Sequence, residues 1–335
     1  MKICSICKEE FTSSRENAHL CDDCEKKMAV GITLTFPEGC EVIEEGALES
    51  PFLYRLMIPD TVKTVNSAFG NWLEEIVIPD SVIAFHPPLC FASDAIRIVK
   101  LGRGVTEIPP KAFLGKRVLC DVTLAEGLTA IGDNAFYSCV SLKVLSFPRT
   151  LKRIGNFAFA KAGLSSMRAG RALSHIGKWA FKEVESLDTV DVASDEGLTV
   201  EEEAFALCPR LTRVTLSGSV KKLASHAFAN CTSLKDVSLP RKTEALGDGI
   251  FRNCAEGLTV HFGGTKEEWI ALAAYQTREG RETVAGPLDH YPYYKAGGEM
   301  ERCFEYTVKF DRGIKHLKVE CADGATLLYG EALWN

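Results

Sequence analysis

Four cysteines near the start of the chain have the type and spacing that hold a metal. Cys4-Ser-Ile-Cys7 and Cys21-Asp-Asp-Cys24 are two C-x2-C knuckles with thirteen residues between them. Four thiolates spaced this way close a tetrahedron around Zn2+ and leave no position open for water, so the implied role is structural, not catalytic. Segment 1–28 therefore reads as a zinc ribbon holding one Zn2+ per chain. Its apolar residues, Ile3, Ile6, Phe11 and Leu20, are too few to make a core, so metal would supply most of its stability. A pair of disulfides is the alternative. Against it, thirteen cysteines is an odd number and nine of them lie outside the knuckles. The opening Met1-Lys2-Ile3-Cys4 also lacks the apolar stretch of a secretory leader, which points to reduced thiols and a cytoplasmic location. His19 could replace one cysteine but reads as a loop residue, and no strand-then-helix pattern around either knuckle favours thioredoxin-type redox chemistry.

Beyond the knuckles, residues patterned for reaction are scarce. G-x-S-x-G, H-E-x-x-H, G-x-G-x-x-G and G-x-x-x-x-G-K are all missing. Gly263-Gly-Thr-Lys266 could seat an anion, but it reads better as the start of a helix, with Thr265 as N-cap and Glu268 completing a capping box. Cys139, Cys208, Cys231 and Cys254 share a column with Ala162 and Val184. A column that takes Cys, Ala or Val wants a small apolar side chain, so these thiols are expected to be inert core. The expectation is a protein that is not an enzyme.

The element that would position everything else is a repeat. An Ala-Phe pair recurs at Phe69, Phe113, Phe136, Phe159, Phe181, Phe205 and Phe228, with Leu48, Phe91 and Phe251 in weaker copies, at steps of 20 to 24 residues. Such a period marks stacked units. Each copy holds a core triplet such as Leu142, Leu145 and Phe147, or Leu211, Val214 and Leu216, whose last two members alternate like a half-buried strand. Pro59, Pro79, Pro148 and Pro240 follow the strand, where a missing N–H ends sheet pairing. A second apolar pair, such as Leu151 and Ile154, then leads into the Ala-Phe. One coil cannot bury its own apolar side, but stacked neighbours can bury it together.

From about Pro37 to Tyr275 this pattern resembles the BspA-like (Treponema-type) leucine-rich repeat family. The resemblance implies an α/β leucine-rich-repeat solenoid dominated by strand. A parallel sheet would line the concave face, with short helical or irregular segments on the convex face. The expected organisation is the ribbon over 1–28, a solenoid of about nine to ten repeats over 29–262 and a C-terminal cap over 263–335. The cap would hold a helix at about 265–277 and a hairpin at about 304–320, its strands meeting at Asp311-Arg-Gly313. Many members of the family sit on the cell surface, which makes an adhesin or host-binding role an alternative reading.

Net charge is −6, and no apolar run approaches the roughly 20 residues of a membrane span. The charges are unevenly placed. Asn134 to Lys182 holds nine Lys or Arg and no acid, whereas Glu183 to Pro209 holds nine acids and no Lys or Arg. By register, Lys100, Arg168 and Asp191 face outward on the concave strands, with Arg149 and Arg171 in one column just past them. These five residues are the candidate partner-binding set. Three functions follow. The first is a protein-interaction scaffold, with self-association through opposite bands as one form of it. The second is nucleic-acid binding through the ribbon and basic band, disfavoured by the negative net charge. The third is the adhesin.

Overall fold

The computed structural model describes residues 2–3, 10–11, 39–43, 55–66, 73–85, 94–273, 293–296, 299–302 and 316–330. Cys4, Cys7, Cys21 and Cys24 lie outside the described residues; Lys2–Ile3 and Glu10–Phe11, on either side of the first knuckle, pair antiparallel.

Two parallel ladders and a row of turns make up each coil of the solenoid. The front ladder begins with Arg55–Met57, Glu75–Ile78, Ile98–Leu101 and Asp121–Thr123. It resumes with Ser166–Ala169, Thr189–Val200, Arg213–Leu223, Asp236–Leu239 and Leu258–Phe262. Alternation sets its faces: Ile76, Val99, Val190, Val214, Val237 and Val260 point inward and are at most 1% exposed. The side ladder is built from two-residue strands. Ile108, Ile131, Ile154 and Ile176 stack in register and are fully buried. In 189–200 and 213–223 the front and side strands fuse into single long strands, with a register shift between Ser194 and Leu198.

On the back, the repeat phenylalanines form one internal row. Centroid distances from Phe113 through Phe136, Phe159, Phe181, Phe205 and Phe228 to Phe251 are 5.0, 5.1, 5.1, 4.9, 5.3 and 6.1 Å, with rings within 17° of parallel. Backbone bonding around each ring alternates. Asn134, Phe136 and Ser138 donate N–H to Asn156, Ala158 and Ala160 of the next coil, while Ala135, Tyr137 and Cys139 donate to carbonyls three residues back. No N–H of this buried turn is left unpaired, which is what burial demands. The alternation requires left-handed backbone two residues before and two after the ring. Asn134 and Ser138, Phe157 and Lys161, Trp179 and Glu183, and Glu203 and Leu207 all have φ between 52° and 61°. Side chains other than glycine adopt that region at a cost, which the inter-coil bonds offset.

One expected strand is missing. Leu142 and Leu145 are buried as predicted, but 142–147 joins neither neighbour as a strand, so the front ladder is split between Thr123 and Ser166. In that segment the Phe147 ring packs edge-on to Phe159, 5.6 Å between centroids.

At the far end, Lys266–Ala273 is a helix. Thr265 N–H donates to Glu268 Oε2 at 2.9 Å, and Glu268 N–H donates to Thr265 Oγ1 at 3.3 Å, a reciprocal capping box. Trp269 is fully buried against Phe262, 5.3 Å between centroids. His316–Cys321 adds to the sheet in parallel beside Leu258–Phe262 and pairs antiparallel with Thr326–Gly330. Both edges of 316–321 are thus occupied, with its turn to the next strand at 322–325; the turn expected at Asp311–Gly313 lies outside the described residues. Residues 304–310, expected as the other strand, lie outside the described residues.

Candidate functional site

The front face carries the outward side chains on which recognition would depend. One register column runs Val77, Lys100 and Thr123, then, past the split, Arg168, Asp191, Thr215, Ser238, His261 and Glu320. It is polar along nearly its whole length. At its C-terminal end His261 Nδ1 lies 3.0 Å from Glu320 and Nε2 lies 3.8 Å from Asp236. The Glu320 carboxyl is held below the usual range, chiefly by its hydrogen bond to Lys318.

The five candidate residues are placed as register suggests, but four of them already have partners. Lys100 reaches Glu75 at 3.6 Å, Arg168 and Asp191 reach each other at 3.3 Å, and Arg171 reaches Asp195 at 3.3 Å. Arg149 is exposed, and its side chain makes no ion pair among the described residues; its backbone N–H donates to Glu126 at 3.1 Å.

These pairs belong to a larger pattern. Coil 165–187 meets coil 188–211 through Arg168–Asp191, Arg171–Asp195, Lys178–Glu202 at 2.5 Å and Lys182–Glu203 at 2.6 Å. Part of the basic band and part of the acidic band therefore meet across one seam inside the chain. Most of these pairs are exposed and worth about 0–1 kcal/mol each; Lys182–Glu203 is the most covered, with side chains 24% and 27% exposed. Burial works against the Glu203 carboxylate, but the bonded Lys182 ammonium outweighs it and lowers the pKa. Lys178 also lies 4.1 Å over the ring of Trp179. The sequence signal for the seam was present, since each pair is separated by one repeat length.

The cysteine column has a role that composition does not show. Cys139, Cys208, Cys231 and Cys254 each donate a thiol hydrogen to the carbonyl of the phenylalanine one coil back: Phe113, Phe181, Phe205 and Phe228, at 3.1–3.2 Å. Burial pushes the Cys139 thiol up to about 12 and raises Cys208 and Cys254 as well, so these sulfurs are protonated donors and not nucleophiles.

Comparison with known proteins places the repeat. The BspA type leucine rich repeat region (6 copies) matches residues 41–161, 85–196 and 129–259, together well over half of the chain. Among solved structures, a leucine rich repeat protein of T. pallidum is 28% identical over 54% of this chain and 82% of its own, with a TM-score of 0.44. A leucine rich cell surface protein of Faecalibacterium prausnitzii is 20% identical, covering 69% of this chain and 85% of its own, with a TM-score of 0.37. A leucine-rich repeat protein of Eubacterium ventriosum is 17% identical, covering 69% of this chain and 84% of its own, with a TM-score of 0.41. No curated protein matches. With matched residues running from 41 to 259 through the stacked Ala-Phe coils, this chain belongs to the BspA-type leucine-rich repeat family.

Proposed function

We propose that the chain is a non-enzymatic protein-interaction scaffold that recognises a protein partner with its front face. The observation that carries this reading is the division of the front strands: an inward row sealed in the core and an outward row of polar side chains held at one fixed spacing per coil. A wall of that kind is preorganised, so binding costs little ordering entropy. The seam argues against nucleic acid, because Arg168 and Arg171 each sit beside a carboxylate and present little net positive charge. It equally weakens self-association through the bands, because Arg168, Arg171, Lys178 and Lys182 are paired with carboxylates of the same chain.

Proteins that co-purify with the wild-type chain and are lost from Thr215→Arg with Ser238→Arg, at unchanged melting temperature, would support the front face. Unchanged capture would refute it. A surface adhesin is the second reading; recovery of the native protein on the cell wall or in the medium would favour it over a cytoplasmic scaffold.

The N-terminal segment is proposed to hold one structural Zn2+ through Cys4, Cys7, Cys21 and Cys24. The reading rests on four soft donors at tetrahedral-site spacing. Metal analysis of untagged protein should give one zinc per chain, and Cys7→Ser with Cys21→Ser should abolish it. A metal-free wild type with a folded N-terminus would sink the idea.

A further inference from the structure

A second surface lies on the flank between the back turns and the front strands. There a groove of about 1090 Å3 crosses the solenoid. Its origin is one missing residue. From ring to next buried leucine the chain takes six steps in Phe136–Leu142, Phe181–Leu187, Phe205–Leu211 and Phe228–Leu234, but five in Phe159–Leu164. The shortened loop is drawn against its neighbour. Gly163 N–H donates to the Cys139 carbonyl at 3.0 Å, and a Cβ at Gly163 would lie 2.1 Å from the Val140 carbonyl oxygen. A notch is left where the coils on either side have the longer loop.

Charges of both signs line the notch, and those without an ion pair among the described residues alternate along the stack. Lys161 and Glu183 satisfy each other at 3.4 Å. Lys143, Glu185 and Arg210 are exposed and form no ion pair among the described residues, and the exposed Leu207 offers an apolar contact between them. Coils repeat at about 5 Å here, as the ring spacings show. Along the stack axis Lys143 and Glu185 are two coils apart, about 10 Å, and Glu185 and Arg210 one coil, about 5 Å, while around the coil they stand at seven, four and five residues past the ring. An extended chain advances about 3.3 Å per residue, so those gaps correspond to about three residues and then one or two.

We propose that this groove binds an extended segment of a partner protein with the charge pattern acid-x-x-base-x-acid, lying along the solenoid axis. The occupant brings the sign opposite to each uncompensated charge in turn. Uniform polyanions, such as a nucleic acid or a sulfated polysaccharide, would place negative charge against Glu185. The site is separate from the front face and deepens the interaction reading by naming the kind of partner; Thr215→Arg with Ser238→Arg leaves it intact, so the two can fail independently.

The test uses the full chain and a fluorescein-labelled peptide, Asp-Thr-Val-Lys-Thr-Asp, read by anisotropy. Saturable binding is expected, weakened about tenfold (about 1.4 kcal/mol) by Lys143→Glu or by Glu185→Lys. The triple variant Lys143→Glu, Glu185→Lys, Arg210→Glu should bind the sign-reversed peptide and release the original, with an unchanged melting temperature because all three positions are exposed. Three results would each overturn the proposal: no saturable binding, equal binding of a scrambled peptide of the same composition, or tighter binding of heparin by Glu185→Gln that displaces the peptide.

Discussion

Replacing Phe181 with alanine tests the stacked coils where they are most interdependent. Its ring is fully buried, 5.1 Å from Phe159 and 4.9 Å from Phe205, nearly parallel to both. Removing a buried phenylalanine costs about 3–5 kcal/mol, and each lost ring pair contributes about 0.5–1.5 kcal/mol of that. With neighbours on both sides, the upper half of the range is expected. The wound is also in mid-stack. If coils are held chiefly by nearest neighbours, the two halves uncouple, and urea unfolding followed by circular dichroism should show an earlier, broader transition with a lower apparent m-value. Phe181→Ala with Phe205→Ala should depart from additivity by about 0.5–3 kcal/mol, whereas Phe136→Ala with Phe228→Ala, four coils apart, should add. Leu207→Ala, at 40% exposure, is the surface control. A Phe181→Ala cost below about 1 kcal/mol, or additivity in the adjacent pair, would refute the reasoning.

Among the described cysteines, Cys120 is exposed and should be labelled by a maleimide pulse within the native state, while Cys139, Cys208 and Cys231 react only on unfolding; peptide mapping by mass spectrometry decides this. His175 has its pKa lowered by burial and then by Arg153, so the folded state prefers the neutral ring. Stability should therefore be complete above the free imidazole value of about 6.5 and fall as pH drops through it and towards the folded value; in His175→Gln that part of the melting-temperature slope should vanish. A double-mutant cycle on Arg168 and Asp191 should give a coupling of about 0–1 kcal/mol that shrinks in salt; a value above about 2 kcal/mol would mean the seam is far less solvated than its exposure indicates.

Much of the architecture could be read from local pattern. The Ala-Phe period gives the ring row because side chains at equal phase in identical coils must stack. Thr265 and Glu268 announce their helix start because capping needs only residues three apart. The seam was legible in part: Arg168 and Asp191, or Lys178 and Glu202, are complementary at one repeat length, but reading the two runs of charge separately turns an internal seam into two surface bands. The flank groove was also written in a count, five steps where the coils on either side have six. Counting does not reveal that Gly163 then closes onto Val140 and leaves a notch.

The sequence alone determined which residues are core, the period at which they return and the family to which that period belongs, because each depends on spacing along one coil. Only the tertiary structure decided that 142–147 stays out of the front ladder, that thiols such as Cys208 serve a carbonyl one coil away, and that four of the five candidate recognition residues are engaged with neighbours. Those outcomes depend on distances between coils, where a ring, a donor or a charge meets groups some 23 residues away, and no local pattern states which will be met.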